Sequence, residues 1–236
     1  MPASHSNGVL NRLALWLFDL LTERGERHGI GLSMFIEAAP LDTATLWPKL
    51  YAALDLIAAH SPAWLGRMRR MGNSVHVRRI PGTRAMLTES RFTILDPYLL
   101  ADFLPAQIAA SIIHEATHAR LRAAGLPLSQ YGLAREERAC RRSELRFGRR
   151  LLAGGVDGAE QVIERAAGAL AGADDEVGVA VNWEEWRVNG AVARINDLRA
   201  PRWLKRLVAK RAGVLDSPQG RAAFGDRAGA AGDRLE

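Results

Sequence analysis

Two histidines, His114 and His118, bracket Glu115 in the run His114-Glu115-Ala116-Thr117-His118. On a helix, residues four apart sit one turn above each other on one face. Two imidazoles so placed can converge on a single ion, at about 2.0–2.1 Å from each nitrogen for zinc. Glu115 is rotated one residue step from His114, so its carboxylate reaches past the ion toward a bound water. Zinc lowers the pKa of that water toward neutrality, and a carboxylate can then take its proton. The spacing predicts a Zn2+ site with His114 and His118 as ligands and Glu115 as general base. The competing reading is a pair of surface histidines beside a solvated glutamate. Ile108, Ile112, Ile113, Ala116 and Leu121 oppose it, because they mark a largely buried helix. Burying two histidines and a glutamate without partners costs several kcal/mol.

A catalytic zinc ion takes three protein ligands and keeps a fourth position open. No histidine follows His118, so the third ligand is expected to be a carboxylate. Glu136 and Glu137 stand 18 and 19 residues further on, in the next expected helix. Leu133, Cys140, Phe147 and Leu151 make its apolar stripe, and Glu137 and Glu144 fall on the same stripe. Glu136 lies about 100° off it. Helical phase therefore favours Glu137 over Glu136. Cys140 reads as a small core residue that lets the helices approach, in preference to a fourth ligand. Glu144 has two open roles: accepting the free N–H of a ligand histidine, or pairing with an arginine such as Arg120 or Arg141.

The His-Glu-x-x-His run with a glutamate on the next helix resembles the gluzincin branch of the zincin metallopeptidases, in particular small minigluzincin-like proteins. The resemblance spans roughly Val75–Ala153. It implies a zincin-like fold, zinc held by His114, His118 and Glu137, and a water activated by Glu115. It also implies peptide or protein substrates. In the family a strand ahead of the helix pairs with the extended substrate, and Arg91–Leu95 would fill that place. The sequence departs from the family at Arg141, where members often carry an acidic residue or Asn. Tyr98 and Tyr131 are candidates to stabilise an oxyanion by sequence proximity alone.

The elements that must position these residues follow from periodicity. Asn7 can cap an amphipathic helix running to about Arg27, and residues 1–30 are read as that N-terminal element. Gly31–Glu37 reads as a short strand, Thr45–His60 as a helix, and Ser61-Pro62 as the start of another. Val75/Val77, Ala85/Leu87 and Phe92/Ile94 alternate with polar neighbours, which predicts a small antiparallel sheet of about three strands. Asp102 is expected to cap the long helix that carries the histidines and ends at Gly125. Helices over about Leu133–Ala153 and Asp157–Leu170 follow. Asn182 and Glu185 signal a further helix containing Trp183 and Trp186, and Pro201 opens a last one. The fold class is α+β, with the zincin-like domain over 31–212. Residues 213–236 are read as a disordered tail.

Composition sets the outer bounds. The chain has 236 residues, 48% of them apolar, and a formal net charge of +6. That is enough apolar material for a substantial core. Of the 32 basic residues, only Lys49, Lys205 and Lys210 are lysines. Arginine favours phosphate contacts. The arginines are nevertheless scattered, as GC-rich coding would leave them, so no specific nucleic-acid partner is expected. Cys140 is the single cysteine, which excludes an intramolecular disulfide and fits a cytoplasmic protein. No apolar run approaches the ~18 residues of a membrane span. His5, His28, His60 and His76 stand apart from one another and read as surface or core residues.

Overall fold

Apolar residues at spacings of two, and of three to four, sort this chain into strands and helices. The computed structural model describes residues 22–25, 29–37, 41–80, 85–87, 92–125, 130–172, 192, 195–196, 201–211 and 213–224. In chain order the elements are β1 (Thr22–Gly25), β2 (Met34–Glu37), α1 (Thr43–His60), α2 (Pro62–Arg70), β3 (Ser74–Val77), β4 (Ala85–Leu87) and β5 (Phe92–Leu95). Then come α3 (Pro97–Asp102), α4 (Pro105–Ala123), α5 (Gln130–Ala153), α6 (Ala159–Gly172), α7 (Arg202–Arg211), a 3-10 turn (Val214–Asp216) and α8 (Pro218–Phe224). The class is α+β. The chain divides into two compact units, Met1–Arg78 with Arg84–Gly178, and Arg79–Thr83 with Val179–Glu236.

The sheet corrects the three-stranded antiparallel expectation. Among the described residues it has five strands in the order β1-β2-β3-β5-β4 and is mixed. β2 runs parallel to β3, and β3 parallel to β5, while β1–β2 and β4–β5 are antiparallel. Parallel pairing needs a long crossover, and α1 with α2 supplies it between β2 and β3. β4 does not form a hairpin with β3. β5 takes the place between them, Val75 opposite Thr93 on one side and Leu87 opposite Thr93 on the other. Of the segment Arg91–Leu95, expected as the substrate-pairing edge, the described part, Phe92–Leu95, is therefore interior, and β4 is the edge among the described strands.

The expected N-terminal helix lies mainly outside the described residues. At its far end, where it was expected to reach Arg27, Thr22–Gly25 is a strand instead. Glu23 on β1 accepts hydrogen bonds from Thr43 Oγ1 (2.7 Å) and Trp47 Nε1 (2.9 Å). Those bonds tie the strand to α1, a tertiary preference that no local helical period reveals.

The core sits between the sheet and the helices. Met34, Ile36, Val75 and Leu95 meet Leu50, Leu54 and Ile57 of α1 and Ile108, Ile112 and Ile113 of α4, all at 1% exposure or less. α4 packs against α1, α5, α6 and β4, and every residue from Ile108 to Ala119 is buried. Asp102 is not its cap. Asp102 ends the short α3, which Asp96 caps through its bond from the Tyr98 N–H (2.9 Å). α4 opens at Pro105, where a missing N–H costs nothing. It stops at Gly125, whose φ of 75° places it in the left-handed region. α5 ends in the same way at Gly155, with the Val156 N–H reaching back to the Leu151 carbonyl at 3.0 Å.

In the second unit, Ile195, Ala209, Val214 and Phe224 form a small buried cluster. The segment 213–236, expected as a tail, thus contains the 3-10 turn and α8. Apolar Val214 and Phe224 meet only through the fold of that unit. Trp183 and Trp186 lie outside the described residues.

Candidate metal centre

The full burial of α4 forces its polar residues to find partners inside the protein. His114 and His118 are 6% and 9% exposed, and their Nε2 atoms lie 3.0 Å apart. α5 crosses beside them and delivers three carboxylates. Glu137 bridges the pair, its Oε2 3.3 Å from His114 Nε2 and its Oε1 3.1 Å from His118 Nε2. The outer nitrogens are held as well. His114 Nδ1 donates to Glu144 Oε1 at 2.5 Å, and His118 Nδ1 donates to Glu136 Oε1 at 2.7 Å.

These contacts fix the protons. An ionised carboxylate only accepts, so Glu144 and Glu136 require a hydrogen on each Nδ1. The lone pair of each neutral ring is then on Nε2. Two such nitrogens and the Glu137 carboxylate face one another within 3.0–3.3 Å. Electron-rich atoms that close in a low-dielectric interior require positive charge among them, either protons or a metal ion.

The titration behaviour agrees. Burial alone would pull His114 down, but hydrogen bonds to Glu137 and Glu144 and the charges of Glu115 and Glu144 lift it to about 9. His118 is also raised: burial and the charge of His114 pull it down, and the Glu137 hydrogen bond with the charges of Glu115 and Glu137 outweighs them. Burial works against ionised Glu137, yet its two histidine contacts hold it well below the usual carboxylate range. Glu144 is likewise lowered, against burial, by His114, Arg141 and Arg165.

His114, His118 and Cys140 form a buried group whose ligand atoms all lie within 4.8 Å of one another, and it could hold a metal ion. Glu137 stands beside that buried trio with its side chain 48% exposed. Its carboxylate nevertheless contacts both imidazoles, at 3.1 and 3.3 Å, and gives the group a solvent-facing side. The exposure itself departs from the stripe that groups Glu137 with the buried Cys140, Phe147 and Leu151. Burial raises the Cys140 thiol strongly, helped by the charges of Glu137, Glu115, Glu136 and Glu144.

Glu115 is 6% exposed, and its carboxylate makes none of the imidazole contacts made by Glu136, Glu137 and Glu144. Burial raises its pKa, opposed by His114 and His118 and reinforced by Glu137 and Glu144. Its carboxyl thus sits in the electrostatic field of the centre without being tied down by it.

Both roles open to Glu144 are filled at once. It accepts from His114 and also from Arg141 Nη1 (2.9 Å) and Arg165 Nη2 (3.5 Å). Arg120 is not its partner and lies over the Trp64 ring instead. The sequence treats Glu136 as a rival of Glu137, whereas the fold uses both, on opposite nitrogens of His118. Arg165 comes from α6 and carries no local signal. Tyr98 stands on α3, 39% exposed, and the Tyr131 side chain lies outside the described residues.

The chain matches no protein-family model, no curated protein sequence and no solved structure. No helix among the described residues is long and apolar enough to cross a membrane.

Proposed function

We propose that this chain is a zinc-dependent peptidase of gluzincin type, with His114, His118 and Glu137 holding the ion and Glu115 handling the proton. The observation that carries the reading is the convergence of two Nε2 atoms and one carboxylate, with each imidazole oriented from behind by a second carboxylate. Nitrogens about 2.05 Å from a tetrahedral ion are about 3.3 Å apart. The contacts of 3.0, 3.1 and 3.3 Å suit that edge length. The charge suits it too. Among the described residues, four glutamates surround two histidines, and Arg141 and Arg165 are the cations paired with them, so a divalent ion would bring these groups to neutrality.

Bound zinc would supply Lewis acidity, polarising a carbonyl and acidifying water. Glu115, raised by burial, is suited both to take a proton and to give it back. In hydrolysis it accepts a proton from the attacking water as the C–O bond forms, and passes it to the amine nitrogen as the C–N bond breaks. Among the described strands β4 stands at the edge of the sheet, beside α4, and an extended peptide could add there as a strand.

Glu115→Gln tests the reading on the zinc-loaded protein with a quenched-fluorescence peptide library. Zinc content and folding should be retained and hydrolysis should fall at least about a hundredfold. A protein that purifies without stoichiometric zinc from zinc-supplemented medium, or turnover unchanged by the substitution, would refute it.

Cys140 favours a second reading. A thiolate in the fourth position closes the coordination sphere, as in structural zinc centres that cleave nothing. X-ray absorption separates the two, since a sulfur neighbour at about 2.3 Å belongs to the closed site alone.

A further inference from the structure

On another face of the same helices four arginines converge. A cleft of about 270 Å³ is formed by Arg67 of α2, Arg120 of α4, and Arg146 and Arg150 of α5, with Ser61 and Trp64 among its walls. Among the described residues no carboxylate lines it. Among the described residues none of the four arginines has an acidic partner, whereas Arg141 and Arg165 share Glu144. The cleft therefore concentrates positive charge that none of its described lining residues neutralises.

Neutral groups hold these cations in place. The guanidinium carbons of Arg67 and Arg120 lie 5.2 and 5.8 Å from the Trp64 ring centroid. Attraction to the ring face fixes a guanidinium while leaving its N–H donors uncommitted. Arg150 donates through Nη1 to the buried hydroxyl of Ser61 at 2.8 Å. Arginine's planar fork suits the oxygens of phosphate. The volume lies just below the usual range for small-molecule sites, which fits a compact anion.

We infer that this cleft binds a phosphate group, free or carried on a small molecule. It is separate from the metal centre in residues and in helical phase, because Arg120 is two residue steps round α4 from His118 and Arg146 two round α5 from Glu144.

Calorimetric titration with inorganic phosphate, at constant ionic strength against chloride, tests the inference on both zinc-loaded and chelator-treated protein. Saturable, one-to-one binding in both preparations is expected. Arg146→Gln and Arg67→Gln should each weaken it about tenfold, the loss expected for one charge-assisted hydrogen bond. Without phosphate, Arg146→Gln should unfold no earlier than wild type, because it removes one of four like charges. Glycerol phosphate and pyrophosphate form the other arms. Tighter binding of either than of inorganic phosphate identifies a carried group, and equal or weaker binding identifies the free anion. Phosphate heat no larger than that of chloride, binding lost with the zinc, or unchanged affinity in both variants would overturn the inference.

Discussion

Replacing Glu144 by glutamine isolates the contribution of the carboxylate behind His114. Glu144 is 1% exposed and accepts at 2.5 Å from His114 Nδ1 and at 2.9 Å from Arg141. Glutamine keeps the shape and one acceptor oxygen but removes the charge. The imidazole then becomes a weaker donor to a metal. Loss of such a partner lowers metal affinity about 10- to 100-fold, or about 1.4–2.7 kcal/mol. Fold stability should change less. The Arg141 and Arg165 side chains are 30% and 31% exposed, so water screens their unpaired charge, and a loss of about 1 kcal/mol is expected. Competition with a chromophoric chelator measures zinc affinity, and urea unfolding of the metal-free protein measures stability. Glu136→Gln should act similarly through His118, and Glu137→Gln, which removes a proposed ligand, should cost more than either. Unchanged zinc affinity in a folded Glu144→Gln protein would refute the assignment of its role. So would a loss no greater than that of a remote control such as Glu160→Gln.

Two further expectations concern the scaffold. His76 on β3 is 9% exposed, has Ser74 Oγ 3.0 Å from its Nε2, and lies 4.6 Å from the Phe35 ring. Burial foremost, and then the charge of Arg78, lower its pKa from 6.5 to about 4. A histidine kept neutral in the fold contributes its full stability above pH 6.5 and loses it as pH falls toward 4. The loss reaches about 3 kcal/mol for a shift of this size. The difference in urea midpoint between pH 7.5 and 4.5 should shrink in His76→Gln, and an equal pH dependence in both proteins would contradict this account. Gly148 lets α5 and α6 approach, since a Cβ there would lie 2.9 Å from both Ile163 Cγ1 and Val162 Cγ1. Gly148→Leu should destabilise by about 1–3 kcal/mol through overpacking, and an unchanged urea midpoint would argue against that contact.

Local chemistry made much of this protein legible in its sequence. The four-residue spacing of His114 and His118 places them on one helical face wherever that helix goes. The apolar stripe of α5 carries Cys140, Phe147 and Glu144 inward together, because a helix has one period and one buried side. β3, β4 and β5 fall at the alternating runs, and α2, α4 and α5 begin or end at the expected proline and glycine signals. Pairing partners were not legible. Alternation identifies a strand without specifying its neighbour, so parallel pairing, the recruitment of β1 and β2, and the edge position of β4 emerged only from the packing of α1 and α2 behind the sheet.

The same division holds at the two sites. Sequence by itself determined that His114, Glu115 and His118 share a helix and that a carboxylate-bearing helix follows, because both are matters of spacing along one chain. Only the tertiary structure decided that Glu136 and Glu144 stand behind the two imidazoles, with Glu137 between them. The crossing of α4 and α5 sets those distances, and spacing along either helix does not contain them. It also gathered Arg67, Arg120, Arg146 and Arg150, scattered over more than eighty positions, into one cleft. Charge density depends on distance in space, and only folding converts separation along the chain into proximity.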